Sequence, residues 1–391
     1  MDQRTIQILF ALLRSAICGG DLTREEIDGC SPEMISELYR ISSGHDLTHL
    51  VALGLKQNRL LTEKKNALEK SIFKAVFRYE QLKHEYDSLC NALEKAQIPF
   101  LPLKGAVLRK YYPEAWMRTS CDIDVLVHRE DLDRAIAYLV EELKYTEKDR
   151  ATHDVSLFSQ AGVHVELHFD LVEEGRANDA IEILRSVWDN LSLRDGSLYH
   201  YEMSDGLFYL YHIAHMAKHF ETGGCGIRPF IDLWILDHLD NVDVSLRDAL
   251  LDRGGLLRFA NVSRTLSEVW FGEREHDGVS IKMQDFILRG GVYGSTDNRV
   301  AIQQKKRGGR LGYVFSRMFI PYEKLKRYYP ILEKHKWLTP FMQIRRWFMI
   351  FKPDVAKMAK REMSANGTID KNKANETGNL LESIGLDKNR Y

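Results

Sequence analysis

At 391 residues, with 44% hydrophobic and 28% charged residues, the chain is long enough for two or three domains, or for one core with helical additions, and its composition excludes wholesale disorder. Five scattered cysteines without a Cys-x-x-Cys pair argue against a disulfide framework and a thiolate zinc site, and fit a reducing compartment. The net charge of −1 hides a split: residues 301–362 hold 16 Lys/Arg against 4 Asp/Glu, whereas residues 1–300 hold 35 against 48, so the basic segment meets either an anionic partner, a membrane surface included, or the acidic body of its own chain.

The N-terminus lacks a signal-peptide layout and the apolar run of residues 6–13 is too short to span a bilayer, so the chain reads as cytoplasmic. Residues 1–96 repeat apolar positions every three or four residues, and residues 71–96 run without Gly or Pro, which predicts a helical region. A core is expected over residues 97–172. It begins with a short strand in residues 98–103, turned by Gly105 into a helix over residues 106–112. A strand over residues 122–127 follows, then an amphipathic helix with Leu132, Ile136, Leu139, Val140 and Leu143 on one face. Residues 155–158 and 163–170 flank Gln160-Ala-Gly162 as a hairpin, so a small mixed sheet results. Residues 173–290 read as a second helical region completing the cleft, and residues 291–363 as a basic, aromatic one. Residues 364–391, poor in apolar side chains, read as a disordered tail. The fold class is α+β: a small mixed sheet between helical regions.

Side chains alternate across a strand, so Asp122 and Asp124 share a face while Ile123, Val125 and Val127 point to the core. Adjacent carboxylates repel, and a divalent cation would compensate them. The second hairpin arm places His164, Glu166, His168 and Asp170 on its polar face. Laid beside the Asp122 strand, it makes Glu166 a third carboxylate, the set that two-metal phosphoryl chemistry requires. Leu103-Lys-Gly-Ala106 forms a strand-to-helix junction able to cradle an anion, with Lys104 and Arg118 as the nearest cations for triphosphate oxygens. Alternatives stay open. His164, Glu166 and His168 could hold zinc. His212, His215 and His219 form one stripe of a helix, either lining a cleft that binds substrate or phosphate or packed in an interface, and Arg228 either pairs with Asp232 or serves the nucleotide.

Leu103-Lys-Gly-Ala-Val-Leu108 followed by Arg118-Thr-Ser-Cys-Asp-Ile-Asp-Val-Leu-Val127 resembles the signature of the DNA polymerase beta type nucleotidyltransferase superfamily. It is similar in particular to the bacterial group of uncharacterised nucleotidyltransferases carrying Lys-Gly in place of the usual Gly-Ser. The likeness runs on through Glu166 with His168, His215 to His219, Arg228 and Asp232, Phe319-Ile-Pro-Tyr322 and Tyr328-Tyr-Pro330, over most of residues 98–350. It implies two Mg²⁺ ions on Asp122 and Asp124, Glu166 completing the site, and Gly105 at the phosphates of an NTP such as ATP. Ala106 stands where the superfamily usually has serine, and 15 residues separate it from Asp122, somewhat more than usual. The expected reaction is transfer of a nucleoside monophosphate from an NTP to an unspecified acceptor with release of pyrophosphate. The competing expectation is a protein that kept the fold and lost catalysis, for instance an accessory protein of surface-polysaccharide assembly.

Overall fold

A computed structural model describes residues 2–28, 30–60, 65–171 and 179–386. The start expected for the second helical region, residues 173–178, lies outside them. The chain divides into two compact units, Met1–Met216 with Ile227–Ser280, and Ala217–Gly226 with Ile281–Asp387.

The first unit is α+β. Its main sheet has five strands: β1 (Phe100–Pro102), β2 (Asp122–Val127), β3 (Thr146–Arg150), β4 (Asp154–Phe158) and β5 (His164–His168), in the order β1-β2-β5-β4-β3, and a small antiparallel pair, Leu191–Leu193 with Tyr201–Met203, interrupts the region expected to be helical. β2 and β5 are parallel, and every other neighbouring pair is antiparallel. β4 and β5 form the hairpin expected from Gln160-Ala-Gly162, with Val155 opposite Leu167 and Leu157 opposite Val165. Ile123, Val125, Val127, Val155, Leu157, Val165 and Leu167 supply one fully buried face. Leu82, Leu89 and Leu93 of the helix Lys65–Lys95 and Leu132, Ala135, Ile136 and Leu139 of the helix Leu132–Glu142 cover it. Val140, expected on that apolar face, is 40% exposed instead, while Leu143 packs against the core beside the four buried residues.

β3 has no counterpart in the sequence reading. All five of its residues, Thr-Glu-Lys-Asp-Arg, are exposed, so no apolar alternation betrays it. A charged edge strand of this kind discourages pairing with another chain. The strand expected over residues 98–103 shortens to β1, and the following helix to Lys104–Leu108 with a 3-10 turn at Arg109–Tyr111.

In the second unit the helices Thr296–Lys306, Pro353–Thr368 and Lys371–Ser383 enclose a small core of Val300, Ala301, Tyr313, Ala365, Ile369 and Ala374. Residues 364–386, expected to be disordered, are therefore largely helical. Their apolar residues are few but fall at helical spacing, and Gln304 Nε2 donates to Asn366 at 2.9 Å. Residues 387–391 lie outside the described residues. No helix among the described residues is long and apolar enough to cross a membrane.

Candidate active site

The parallel β2–β5 pair decides the geometry. Asp122 lies opposite His164, Asp124 opposite Glu166, and Leu126 opposite His168. Cross-strand partners on one face are neighbours, so the two acids of β2 meet the polar face of β5 side by side. Two groups of possible metal ligands result, Asp122–His164–Glu166 and Asp124–Glu166–His168, the ligand atoms of each lying within 4.8 Å of one another. Glu166 belongs to both.

This is not a solvated strand end. Asp124 is 3% exposed and His168 5%, and a buried carboxylate needs a compensating partner. Lys104 Nζ donates to Asp124 Oδ1 at 2.7 Å, and His168 Nε2 lies 2.9 Å from the same oxygen and 3.4 Å from Glu166. Burial acts to raise the Asp124 pKa, but the Lys104 ammonium and the His168 ring outweigh it and hold the carboxyl well below the usual range. Asp122 goes the other way: burial, then the Asp124 and Glu166 charges, push its pKa up. Burial works against the charged forms of Lys104 and His168, yet their acidic partners leave both pKa values raised. Asp124 is thus compensated by Lys104 and His168 whereas Asp122 is not, and three carboxylates on one face fit an oxygen-preferring divalent cation.

Lys104 takes up the left-handed region, with φ 44°, a conformation that costs a non-glycine residue strain and is retained where surroundings fix it. Beside it Gly105 is buried. A Cβ there would stand 3.3 Å from Ser120 Cβ and 3.8 Å from Arg118 Nη1, so the glycine lets the junction close on the 118–120 segment leading into β2.

Arg118 is committed elsewhere. Its Nε and Nη2 donate to the two oxygens of Asp232 at 2.6 and 2.9 Å, its Nη1 donates to Thr119 O at 2.6 Å, and Tyr112 Oη donates to Asp232 Oδ1 at 2.7 Å. Asp232 is wholly buried. It pairs with Arg118 rather than with Arg228, whose Nη2 donates to Asp46; Asp46 also accepts from Thr119 Oγ1 at 2.9 Å. Of the helical histidines, His212 is buried with Nε2 3.1 Å from Pro229 O. His215 lies 6.4 Å from Tyr211, ring to ring, and His219 belongs to the second unit.

Two residues escaped the sequence reading. Tyr211 is buried, and its hydroxyl pKa is raised by burial and by the charges of Asp124, Glu166 and Asp122, against the opposing effect of Lys104. Its place four residues before His215, on the same stripe, was the available signal. Arg109, one turn beyond Gly105, is 7% exposed and donates to Ser120 Oγ, which in turn donates to Asp122 O at 3.0 Å. Burial and then Arg118 bring its pKa down to about 10, and its Nε has no partner.

A family model described as an uncharacterised nucleotidyltransferase matches residues 31–272, well over half the chain. The match takes in the N-terminal helices from residue 31 and ends at residue 272, so Phe319-Ile-Pro-Tyr322 and Tyr328-Tyr-Pro330 lie beyond it. No curated protein and no solved structure matches.

Proposed function

The chain belongs to this uncharacterised nucleotidyltransferase family, and from that premise we propose that it is an enzyme of the DNA polymerase beta type superfamily, moving a nucleoside monophosphate from an NTP to an acceptor hydroxyl in the cytoplasm. The observation that carries the reading is the partly buried cluster in which Glu166 stands within ligand reach of both Asp122 and Asp124. Asp122, Asp124 and Glu166 would hold two Mg²⁺ ions. When bound, the ions supply the positive charge that makes the acceptor oxygen a better nucleophile and stabilises the departing pyrophosphate.

The chain's own residues do the rest. The acceptor oxygen bonds to the α-phosphorus as the bond from that phosphorus to the bridging oxygen breaks, and pyrophosphate leaves with that electron pair. Glu166 takes the hydroxyl proton, directly or through water. The Lys104–Gly105 junction, closed against Ser120, positions the phosphates, with Lys104 as the cation on the acids and Arg109 behind Ser120. Arg118 acts on this site by holding the 118–121 segment to Asp232. His168 orients Asp124 and Glu166. Arg228 and His215 are further candidates for the nucleotide.

A second reading, a binding protein without turnover, draws on Ala106 and on the Lys104–Asp124 ion pair, which already neutralises one ligand. Calorimetry with a non-hydrolysable Mg·NTP separates the readings. The enzyme binds it with a dependence on Mg²⁺ that Asp122→Asn removes. Nucleotide binding indifferent to Mg²⁺ and to Asp122→Asn would favour the second reading.

A further inference from the structure

The nucleotidyl site leaves the basic segment unused. The 3-10 turn Lys336–Leu338, the helix Thr339–Trp347 and the 3-10 turn Phe348–Phe351 follow one another without a break. Trp337, Phe341, Ile344, Phe348 and Phe351 recur along it at alternating intervals of four and three residues, the spacing that lines side chains along one helical face. They are 69%, 59%, 47%, 64% and 79% exposed. In a folded protein such a stripe is ordinarily covered. The other side of the helix is the one that packs within its unit. Gln343 is buried, Arg346 donates to the carbonyls of Arg317 and Met318, and the Trp347 indole donates to Met318 O at 2.7 Å. The helix is anchored by one face and presents five large apolar residues on another.

Charge selects the occupant. Residues 334–352 contain Lys334, Lys336, Arg345, Arg346 and Lys352 and no Asp or Glu. A second copy of the stripe would bring two acid-free cationic runs together. A single-stranded nucleic acid would use the rings and the cations but leave Ile344 without an apolar partner. An anionic bilayer surface meets both demands, because rings settle at the boundary of headgroups and acyl chains while lysine and arginine reach the phosphates. No described helix can span the bilayer, so the contact is peripheral. We propose that residues 337–351 dock this chain on a membrane surface rich in anionic phospholipid.

The test is sedimentation of the full chain with phosphatidylcholine vesicles and with vesicles containing about one third phosphatidylglycerol. The proposal expects binding to the anionic vesicles that high salt weakens, and little to the neutral ones. Phe341→Ser with Phe348→Ser should lose at least about tenfold of it. Lys336→Gln and Arg345→Gln, which spare the apolar stripe and guard against misfolding as the cause, should each lose about fivefold, and Trp337→Phe should retain it. Equal binding to both vesicles, or unchanged binding by the serine variant, overturns the proposal. So does a lipid-free dimer in ultracentrifugation that the serine variant abolishes, or binding of an oligothymidylate while both vesicles are ignored.

Discussion

Replacing Asp232 with Asn tests the wiring beneath the site. The Asp232 side chain is 1% exposed and that of Arg118 10%, and three donors, Arg118 Nε, Arg118 Nη2 and Tyr112 Oη, converge on its two oxygens. Asparagine keeps the shape but turns one acceptor into a donor facing the guanidinium, and leaves the Arg118 charge buried without a counter-charge. Breaking a buried pair from one side costs about 3–5 kcal/mol. Urea unfolding followed by tryptophan fluorescence should show a loss of that size. Arg118→Met should cost a similar amount, and the double variant Arg118→Met/Asp232→Leu should recover most of the loss, since no lone charge is left behind. A cost below about 1 kcal/mol for Asp232→Asn, or a double variant that loses as much as the two single variants together, would refute the pairing.

Three further outcomes follow from the same structure. His45 and His49 are buried, and burial takes the pKa of each down from 6.5 to about 4; between those values the unfolded chain binds protons that the folded chain refuses, so stability should fall as pH drops from about 6.5 to 4, by up to about 3 kcal/mol per histidine. Urea midpoints across that range should drop in the wild type and drop less in His45→Phe; a flat profile would contradict the assignment. Lys104→Met removes the ammonium that faces Asp124 at 2.7 Å, so the metal-free protein should lose about 1.5–3 kcal/mol while the stabilisation gained from added Mg²⁺ rises; thermal melts with and without Mg²⁺ read both effects, and an unchanged Mg²⁺ increment speaks against metal at Asp124. Gly105→Val sets branched carbons against Ser120, where even a Cβ stands 3.3 Å away, and should weaken Mg·NTP binding in calorimetry by more than about tenfold while costing about 1–3 kcal/mol of stability; unaltered affinity would remove the junction from the phosphate site.

The sheet and its acids were legible because alternation is a local signal: Ile123, Val125 and Val127 against Asp122 and Asp124, Val165 and Leu167 against Glu166 and His168. The register setting Asp124 beside Glu166 is a long-range pairing that alternation permits but does not dictate. β3 carries no apolar residue to reveal it. The composition of residues 364–386 suggests disorder, but their few apolar residues fall at helical spacing and pack on Val300 and Ala301, far back in the chain. Arg118 looked like a phosphate cation from its place before β2, whereas its partner Asp232 stands 114 residues away. The exposed stripe of residues 337–351 shows the opposite case: its periodicity is plain in the sequence, and that it stays uncovered is a property of the fold alone.

The claim at the centre is that Asp122, Asp124 and Glu166 form a metal-dependent nucleotidyl transfer site. Its most direct test is pyrophosphate release from each NTP with Mg²⁺, in the presence of a panel of hydroxyl-bearing small molecules, RNA and proteins, by the wild type and by Asp122→Asn and Asp124→Asn. Release by the wild type is expected with at least one NTP, abolished by chelation and lowered about a thousandfold or more in both variants, which keep their helical content. Turnover that persists in both variants, or that ignores chelation, would contradict it.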